Sequence, residues 1–148
     1  MKRSSMQSTR YILALLCIIS IVTKDAIASD WLHALNNKTT DIYIDLESIR
    51  PETDSIAECW VKYKLRKPIK KSGIHSVSEE LDFYRINRLD NTFAVKSFSQ
   101  TSPNGNCVKS YTCPPILLEY ESIPPDSIIE SIKNIVFAYL SMHNKQPE

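Results

Sequence analysis

Alternating apolar and polar residues predict several β-strands along the chain. The alternation runs through residues 41–46 and 58–66 and returns in residues 116–121, which we expect to be the last strand. Because successive side chains of a strand point to opposite faces, each segment has one apolar and one polar side. Residues 81–88 and 92–100 are rich in aromatic and β-branched side chains, and the turn residues between them predict a hairpin. The pattern indicates five or six antiparallel strands.

The segment 58–66 shows the clearest division into two faces. One face carries Cys59, Val61, Tyr63 and Leu65. The opposite face carries Trp60, Lys62, Lys64 and Arg66. We expect the first set to lie in the core and the second to form a mostly cationic surface.

After Pro125 the apolar residues recur about every three to four positions, which predicts a helix. Ser127 and Glu130 have the spacing of a capping box, so the helix is expected to begin there and to run to about Ser141. Phe137 falls on the polar side and is expected to be exposed. The apolar stripe consists of Ile128, Ile129, Ile132, Ile135, Val136, Tyr139 and Leu140.

Such a stripe must be buried against another element. With the strands all earlier in the chain, the simplest arrangement lays the helix across the sheet. The predicted fold class is α+β: an antiparallel sheet of five or six strands with one C-terminal helix packed on one face.

The first 28 residues have the layout of a cleavable signal peptide. Basic residues precede an apolar run at residues 11–23, and Ala26 and Ala28 supply the small side chains of a cleavage site before Ser29. The run is shorter than the roughly 20 apolar residues of a spanning helix, so a retained anchor is the weaker alternative. We expect a single domain at residues 29–148.

The charge balance of that domain limits its partners. The whole chain has 18 Lys and Arg against 17 Asp and Glu; the leader holds four of the cations and one acid, which leaves 14 and 16 and a net charge of −2. A nearly neutral domain argues against binding nucleic acid over its whole surface. Binding driven by charge must come from a local patch.

The strongest local charge feature is a cluster of cations that runs out of strand 58–66 into the next loop. It consists of Lys62, Lys64, Arg66, Lys67, Lys70 and Lys71. Such a patch suits an anionic glycan, lipopolysaccharide phosphate or an acidic segment of a host protein. The alternative is a solvated strand face whose lysines prevent edge pairing. Trp60, on the same face, is expected to pack under the lysine stems or under Trp31.

Three cysteines follow the leader, and export to an oxidising compartment would allow them to pair. Cys107 and Cys113 enclose a short segment between turn-like residues, so we expect a disulfide between them and a buried free thiol at Cys59. A bond from Cys59 to either of the others stays an alternative, because connectivity does not follow from sequence.

No arrangement of residues indicates catalysis. The three histidines stand far apart, and no hydrolase, zinc-protease or phosphate-binding motif occurs. A zinc site is not expected, because the cysteine spacing lacks flanking histidines. We therefore predict no enzyme activity, no cofactor, no metal and no nucleic-acid partner.

Several short motifs resemble the bacterial surface-adhesin E family. They are Trp31, the stretch 43–49, Trp60 within a strand, and residues 123–127, which are similar to the family's Pro-Gly-Ser turn into a final helix. The resemblance covers most of residues 30–140. It implies an antiparallel sheet with a C-terminal helix, a homodimer in many members, and display on the outer membrane of a Gram-negative bacterium. It also implies binding of host extracellular-matrix or plasma proteins.

Two departures from the family pattern stand out. In the family a middle-strand cysteine joins one after the final helix, whereas here Phe83 takes the equivalent position and no cysteine follows Cys113. The helix is then held by apolar packing alone. Asp126 replaces the glycine of the turn.

Two hypotheses about function follow. The first is a surface-displayed adhesin that binds host components. The second is a soluble periplasmic domain that binds or stabilises another envelope protein, with no host contact. In both, any association with the membrane is peripheral.

Overall fold

A computed structural model describes residues 29–70 and 76–143. The predicted leader, residues 1–28, and Lys71 lie outside these ranges. Within them, no helix is long and apolar enough to cross a membrane.

The described part of the chain forms eight strands and one α-helix. The helix, α1, spans Ile128–His143. Two short 3-10 turns, Leu46–Ser48 and Pro115–Leu117, lie between strands. The strands are β1 (Trp31–Asn36), β2 (Thr40–Asp45), β3 (Arg50–Pro51), β4 (Ile56–Lys70), β5 (Ser76–Asn87), β6 (Thr92–Thr101), β7 (Cys107–Thr112) and β8 (Glu121–Ser122).

These strands form one antiparallel sheet. Six of them follow the order β1-β2-β4-β5-β6-β7, while β3 pairs with β4 and β8 pairs with β6. The predicted α+β class is confirmed, with six strands in the main path and two additional strands of two residues each. The predicted hairpin is formed by β5 and β6, and Asn91 in its turn adopts a φ of 53°, which asparagine tolerates better than most residues.

The predicted start of the helix is also confirmed. The Glu130 amide donates to Ser127 Oγ at 3.2 Å, and the Glu130 carboxylate accepts from the Asp126 amide at 2.7 Å. Asp126 has a φ of 57°, in the left-handed region that glycine enters most easily. The bond to Glu130 fixes the backbone at this position, where the resemblance led us to expect glycine.

The core lies between α1 and one face of the sheet. Its fully buried members include Ile42, Ile44, Cys59, Val61, Ile86, Ile132 and Val136. The predicted inward face of β4 is confirmed at Cys59 and Val61, and Tyr63 packs against the same core. Burying one such aliphatic side chain contributes about 1.5–3 kcal/mol.

The predicted exposure of Phe137 is wrong. Phe137 is only 9% exposed, and the Arg88 guanidinium carbon lies 4.9 Å from its ring centre. Ile128, predicted to be buried, is 40% exposed in the first turn. Phe137 directly follows Val136, about 100° further around the helix, so the buried stripe is wider than the pattern suggested and is rotated toward Phe137.

The expected strand at residues 116–121 does not form. Pro114 and Pro115 have fixed φ angles and no amide donors, and a 3-10 turn follows; only Glu121–Ser122 pairs with β6. The strand next to β6 is instead β7. The sequence pattern did not predict this strand.

The expected Cys107–Cys113 disulfide is also corrected, because Cys59, Cys107 and Cys113 are all free thiols. Cys107 begins β7 and Cys113 follows its last residue. A strand rises about 3.3 Å per residue, so the two Cα atoms stand about 20 Å apart, whereas a disulfide needs about 4.4–6.8 Å.

Candidate ligand-binding face

The face of the sheet opposite α1, here called the open face, carries Lys62 and Lys64 of the predicted binding residues. Residues paired across neighbouring strands share a face, and Tyr43 of β2 pairs with Lys62 of β4, while Trp60 pairs with Phe83 of β5. Lys64 pairs with Glu79 of β5 on the same side. The sequence placed Trp60, Lys62 and Lys64 together, and the structure confirms that placement.

Aromatic rings on this face contact one another and the cations. The ring centres of Trp60 and Phe83 are 4.7 Å apart with planes 30° from parallel. Lys62 Nζ lies 3.8 Å from the centre of the Trp31 ring. Trp60 therefore packs beside Phe83, and it is Trp31 that lies under a lysine. Both contacts are of the kind that stabilises by about 0.5–1.5 kcal/mol.

Two shallow cavities lie side by side along β4. The first has a volume of about 350 Å³ and is lined by Asp45, Glu47, Ser48, Arg50, Trp60 and Phe83. The second has a volume of about 270 Å³ and is lined by Trp31, Tyr43, Lys62, Lys64 and Glu79. Trp60 and Lys62 are two positions apart on one strand, so the cavities are neighbours.

The remaining predicted cations lie at the end of β4. Its pairing with β2 ends at Leu65, and the pairing with β5 shifts between Lys64 and Ile69. Lys64 pairs with Glu79, and the next pair is Ile69 with Val77. Between these two pairs β4 contains more residues than β5, so the regular alternation of side chains between the two faces does not continue. Lys67 and Lys70 are exposed on this two-stranded arm, residues 66–70 with 76–78, but do not share one flat face with Lys62.

Three cations near the open face are paired with acidic side chains, but the lysines of the cluster are not. Arg66 pairs with Asp41 at 2.8 Å, and this hydrogen bond lowers the pKa of Asp41. Lys96 pairs with Glu58, and Arg85 pairs with Glu52 at 2.5 Å. The described lysines of the cluster are Lys62, Lys64, Lys67 and Lys70. None of them forms an ion pair with another residue in 29–70 and 76–143.

A family model for surface-adhesin protein E matches residues 31–136. The chain belongs to the surface-adhesin protein E family. The predicted resemblance is thereby confirmed over the whole sheet and most of α1. No curated protein matches the chain.

Two solved structures from Haemophilus influenzae are similar to this adhesin-family chain. The structure of H. influenzae protein E is 15% identical, covers 76% of this chain and 86% of its own, and has a TM-score of 0.52. Protein E from non-typeable H. influenzae is 13% identical, with 80% and 92% covered and a TM-score of 0.48. The first of these likenesses supports the shared fold.

Phe83, expected at the position of the middle-strand cysteine, points to the open face and stacks on Trp60. The helix lies on the other face. A cysteine at position 83 would therefore lie on the side of the sheet opposite α1, and the expected equivalence stays a prediction.

Cys59, Asp82 and Tyr84 are buried on the helix side of the sheet. Burial, reinforced by Asp45 and Glu58, raises the pKa of the Cys59 thiol to about 12, so it stays protonated and is a poor nucleophile. Tyr84 donates to Asp82 at 2.9 Å, and its hydroxyl lies 2.9 Å from that of Tyr63. No group of three metal-binding side chains occurs in the described ranges.

Sequence reasoning missed Arg50 and Phe83 as neighbours of Trp60. Phe83 lay in a segment whose inward face the pattern left ambiguous, and Arg50 belongs to a strand of two residues. The signal for Phe83 was its alternation with Leu81 and Glu79, which places all three on one side of β5.

Proposed function

We propose that this chain is an adhesin displayed on the surface of a Gram-negative bacterium, where it binds host extracellular-matrix or plasma components through the lysines of β4. Membership of the adhesin family supports the general role. The observation that carries the proposal is that Lys62, Lys64, Lys67 and Lys70 form no ion pair among the described residues. An unpaired ammonium group attracts an anionic partner, whereas a paired one is largely neutralised.

The shape of the sheet makes these lysines accessible to a large partner. Beyond Leu65 the β4–β5 arm has lost its β2 neighbour, and Lys64, Lys67 and Lys70 are exposed. A macromolecule can approach the arm without meeting the helix, which packs elsewhere on the sheet.

Protease treatment of intact cells tests the location. A surface adhesin is cleaved while a periplasmic marker protein stays intact. Resistance in intact cells, followed by cleavage once the outer membrane is permeabilised, would contradict surface display and support the periplasmic alternative.

Retention on an immobilised basement-membrane extract tests the binding surface. We expect the triple variant Lys62→Glu, Lys64→Glu, Lys67→Glu to lose retention, and wild-type retention to weaken as salt shortens the screening length from about 8 Å at physiological ionic strength. Lys64→Glu and Lys109→Glu form a matched pair, since both lysines are exposed on strands. Equal effects of the two would show that net charge, and not this site, governs binding.

A further inference from the structure

We propose that the ligand of the open face is a sulfated glycosaminoglycan, with one sugar ring seated on Trp60 and Phe83 and its neighbours extending along β4 over Lys62 and Lys64. This inference rests on the proposed function and specifies the chemistry of its ligand. The juxtaposition that carries it is an aromatic cavity directly beside a cationic one on the same strand.

The aromatic cavity has the composition of a sugar subsite. Trp60 and Phe83 are half-buried, and their rings stack on one another with planes 30° from parallel, so the parts of the pair that line the cavity form one apolar patch. The C–H face of a pyranose packs against such a surface, and a cavity of about 350 Å³ lies within the usual range for small ligands.

One cation in this cavity is available to an acidic group. Arg50 is exposed and forms no ion pair within the described ranges, so its guanidinium is free for bidentate binding of a carboxylate or sulfate. The Ser48 hydroxyl is already engaged, because it donates to the Asp45 carbonyl and accepts from the Trp60 amide. Asp45 and Glu47 also line the cavity, and their carboxylates repel an anion, so recognition of an acidic group there falls to Arg50.

The spacing favours a linear polymer. A strand rises about 3.3 Å per residue, so Lys62 and Lys64 lie about 7 and 13 Å from Trp60 along β4. One small molecule cannot occupy the aromatic cavity and reach Lys64 as well. A chain of acidic sugars fills both cavities and places its anionic groups at the two lysines.

An acidic peptide fits this face less well. Peptides commonly bind sheets by adding a strand at an edge, where backbone groups are unpaired. At Lys62, β4 is an interior strand with β2 on one side and β5 on the other. A peptide there would have only the lysine charges to bind, and the aromatic surface would stay unused.

The two tryptophans of the chain allow a direct test. In the full chain with Trp31→Phe, fluorescence reports Trp60 alone. Titration with a heparin-derived octasaccharide is expected to change this emission saturably. Polyglutamate, the acidic-peptide probe, is expected to bind in a salt-dependent manner without that change.

Variants separate the aromatic surface from the charges. Phe83→Leu removes a flat ring while keeping apolar volume, and we expect octasaccharide affinity to fall about fivefold or more with polyglutamate binding unchanged. Phe98→Leu is the matched control, because Phe98 pairs with Asp82 on the helix side. Arg50→Gln, at an exposed site, should lower octasaccharide affinity even if Phe83→Leu folds poorly.

Two results would overturn the glycan assignment: octasaccharide affinity unaffected by both Phe83→Leu and Arg50→Gln, or the same Trp60 signal with polyglutamate. If Lys64→Glu still abolishes retention on the matrix extract, the proposed function stands and only the ligand class is wrong. If matrix retention is insensitive to Lys64→Glu, the proposed function fails as well.

Discussion

The two faces of one sheet differ in what their side chains do, although the same strands supply both. On β4, Cys59 and Val61 are fully buried under the helix, while Trp60 and Lys62, which alternate with them, remain partly accessible. The covered face is mostly apolar, so its residues are constrained chiefly by volume. The open face combines rings, lysines and ion pairs, which a sheet does not need in order to fold. Residues that pack the core thus alternate with the proposed binding residues along one segment.

The charges of the open face divide again along the sheet. Toward β6, Arg85 and Lys96 are held by Glu52 and Glu58. Toward the end of β4, the lysines have no such partners within the described chain. Paired cations fix neighbouring segments, as when Arg85 contacts Glu52 and the Tyr120 hydroxyl together. Unpaired cations leave their charge for a partner.

The comparison of faces predicts the largest loss of stability at the helix–sheet contact. Ile132→Ala should lower the free energy of unfolding by about 2–5 kcal/mol, because Ile132 is 0% exposed and a cavity would remain. Ile69 lies on the two-stranded arm and is 43% exposed, so Ile69→Ala is the matched control and should lower the free energy of unfolding far less. Urea denaturation measures both. Similar losses would contradict the division between faces.

The second largest loss of stability is expected on removal of a buried hydroxyl. Tyr84→Phe removes the hydroxyl that donates to Asp82 and contacts the Tyr63 hydroxyl. Loss of these buried hydrogen bonds should lower the free energy of unfolding by about 1–3 kcal/mol. Burial also raises the pKa of Tyr84, so the group is a neutral donor throughout the physiological range. Tyr43→Phe on the open face is the control. An equal loss in the control would mean that the buried network contributes nothing specific.

The cap of α1 should have a smaller effect. Ser127→Ala removes the acceptor for the Glu130 amide and is expected to cost about 1 kcal/mol. Ser141→Ala, near the other end of the helix, removes only a bond to the Ala138 carbonyl. Thermal unfolding by circular dichroism should show the larger shift for Ser127→Ala; the reverse order would contradict the capping role.

Sequence analysis predicted the fold class, the hairpin, the helix start and the two faces of β4, because each depends on local periodicity or on a short capping motif. It failed at Phe137 and Ile128, where the exact rotation of the helix depends on tertiary packing. It failed at residues 116–121, where two prolines outweigh an alternating pattern. The prediction of a Cys107–Cys113 disulfide failed for a related reason, since β7 is recognisable as a strand only once its pairing with β6 is known.

The candidate site was predictable only in part. Lys62, Lys64 and Trp60 follow from the period of one strand. Arg50 and Phe83 reach the same cavity from other strands, and that juxtaposition depends on register across the sheet. The shifted pairing beyond Lys64 is equally invisible in a single segment, because the alternation of residues gives no sign that the partner strand is shorter.

The smallest expected effect is a pH dependence on the open face. The hydrogen bond from Arg85 lowers the pKa of Glu52 below its usual 4.5. A lowered pKa means that the folded state favours the charged carboxylate, so the contribution to stability is complete above pH 4.5 and is lost as the pH falls through the lowered value. Because both side chains are partly exposed, solvent screening keeps the contribution within about 1 kcal/mol.

Glu52→Gln should therefore be slightly less stable than the wild type in urea at neutral pH and equal to it in acid. Glu119→Gln, at an exposed carboxylate, should show no such convergence. A difference for Glu52→Gln that persists unchanged in acid would show that the glutamate acts by packing, and the open face would then contribute to stability by the same means as the covered one.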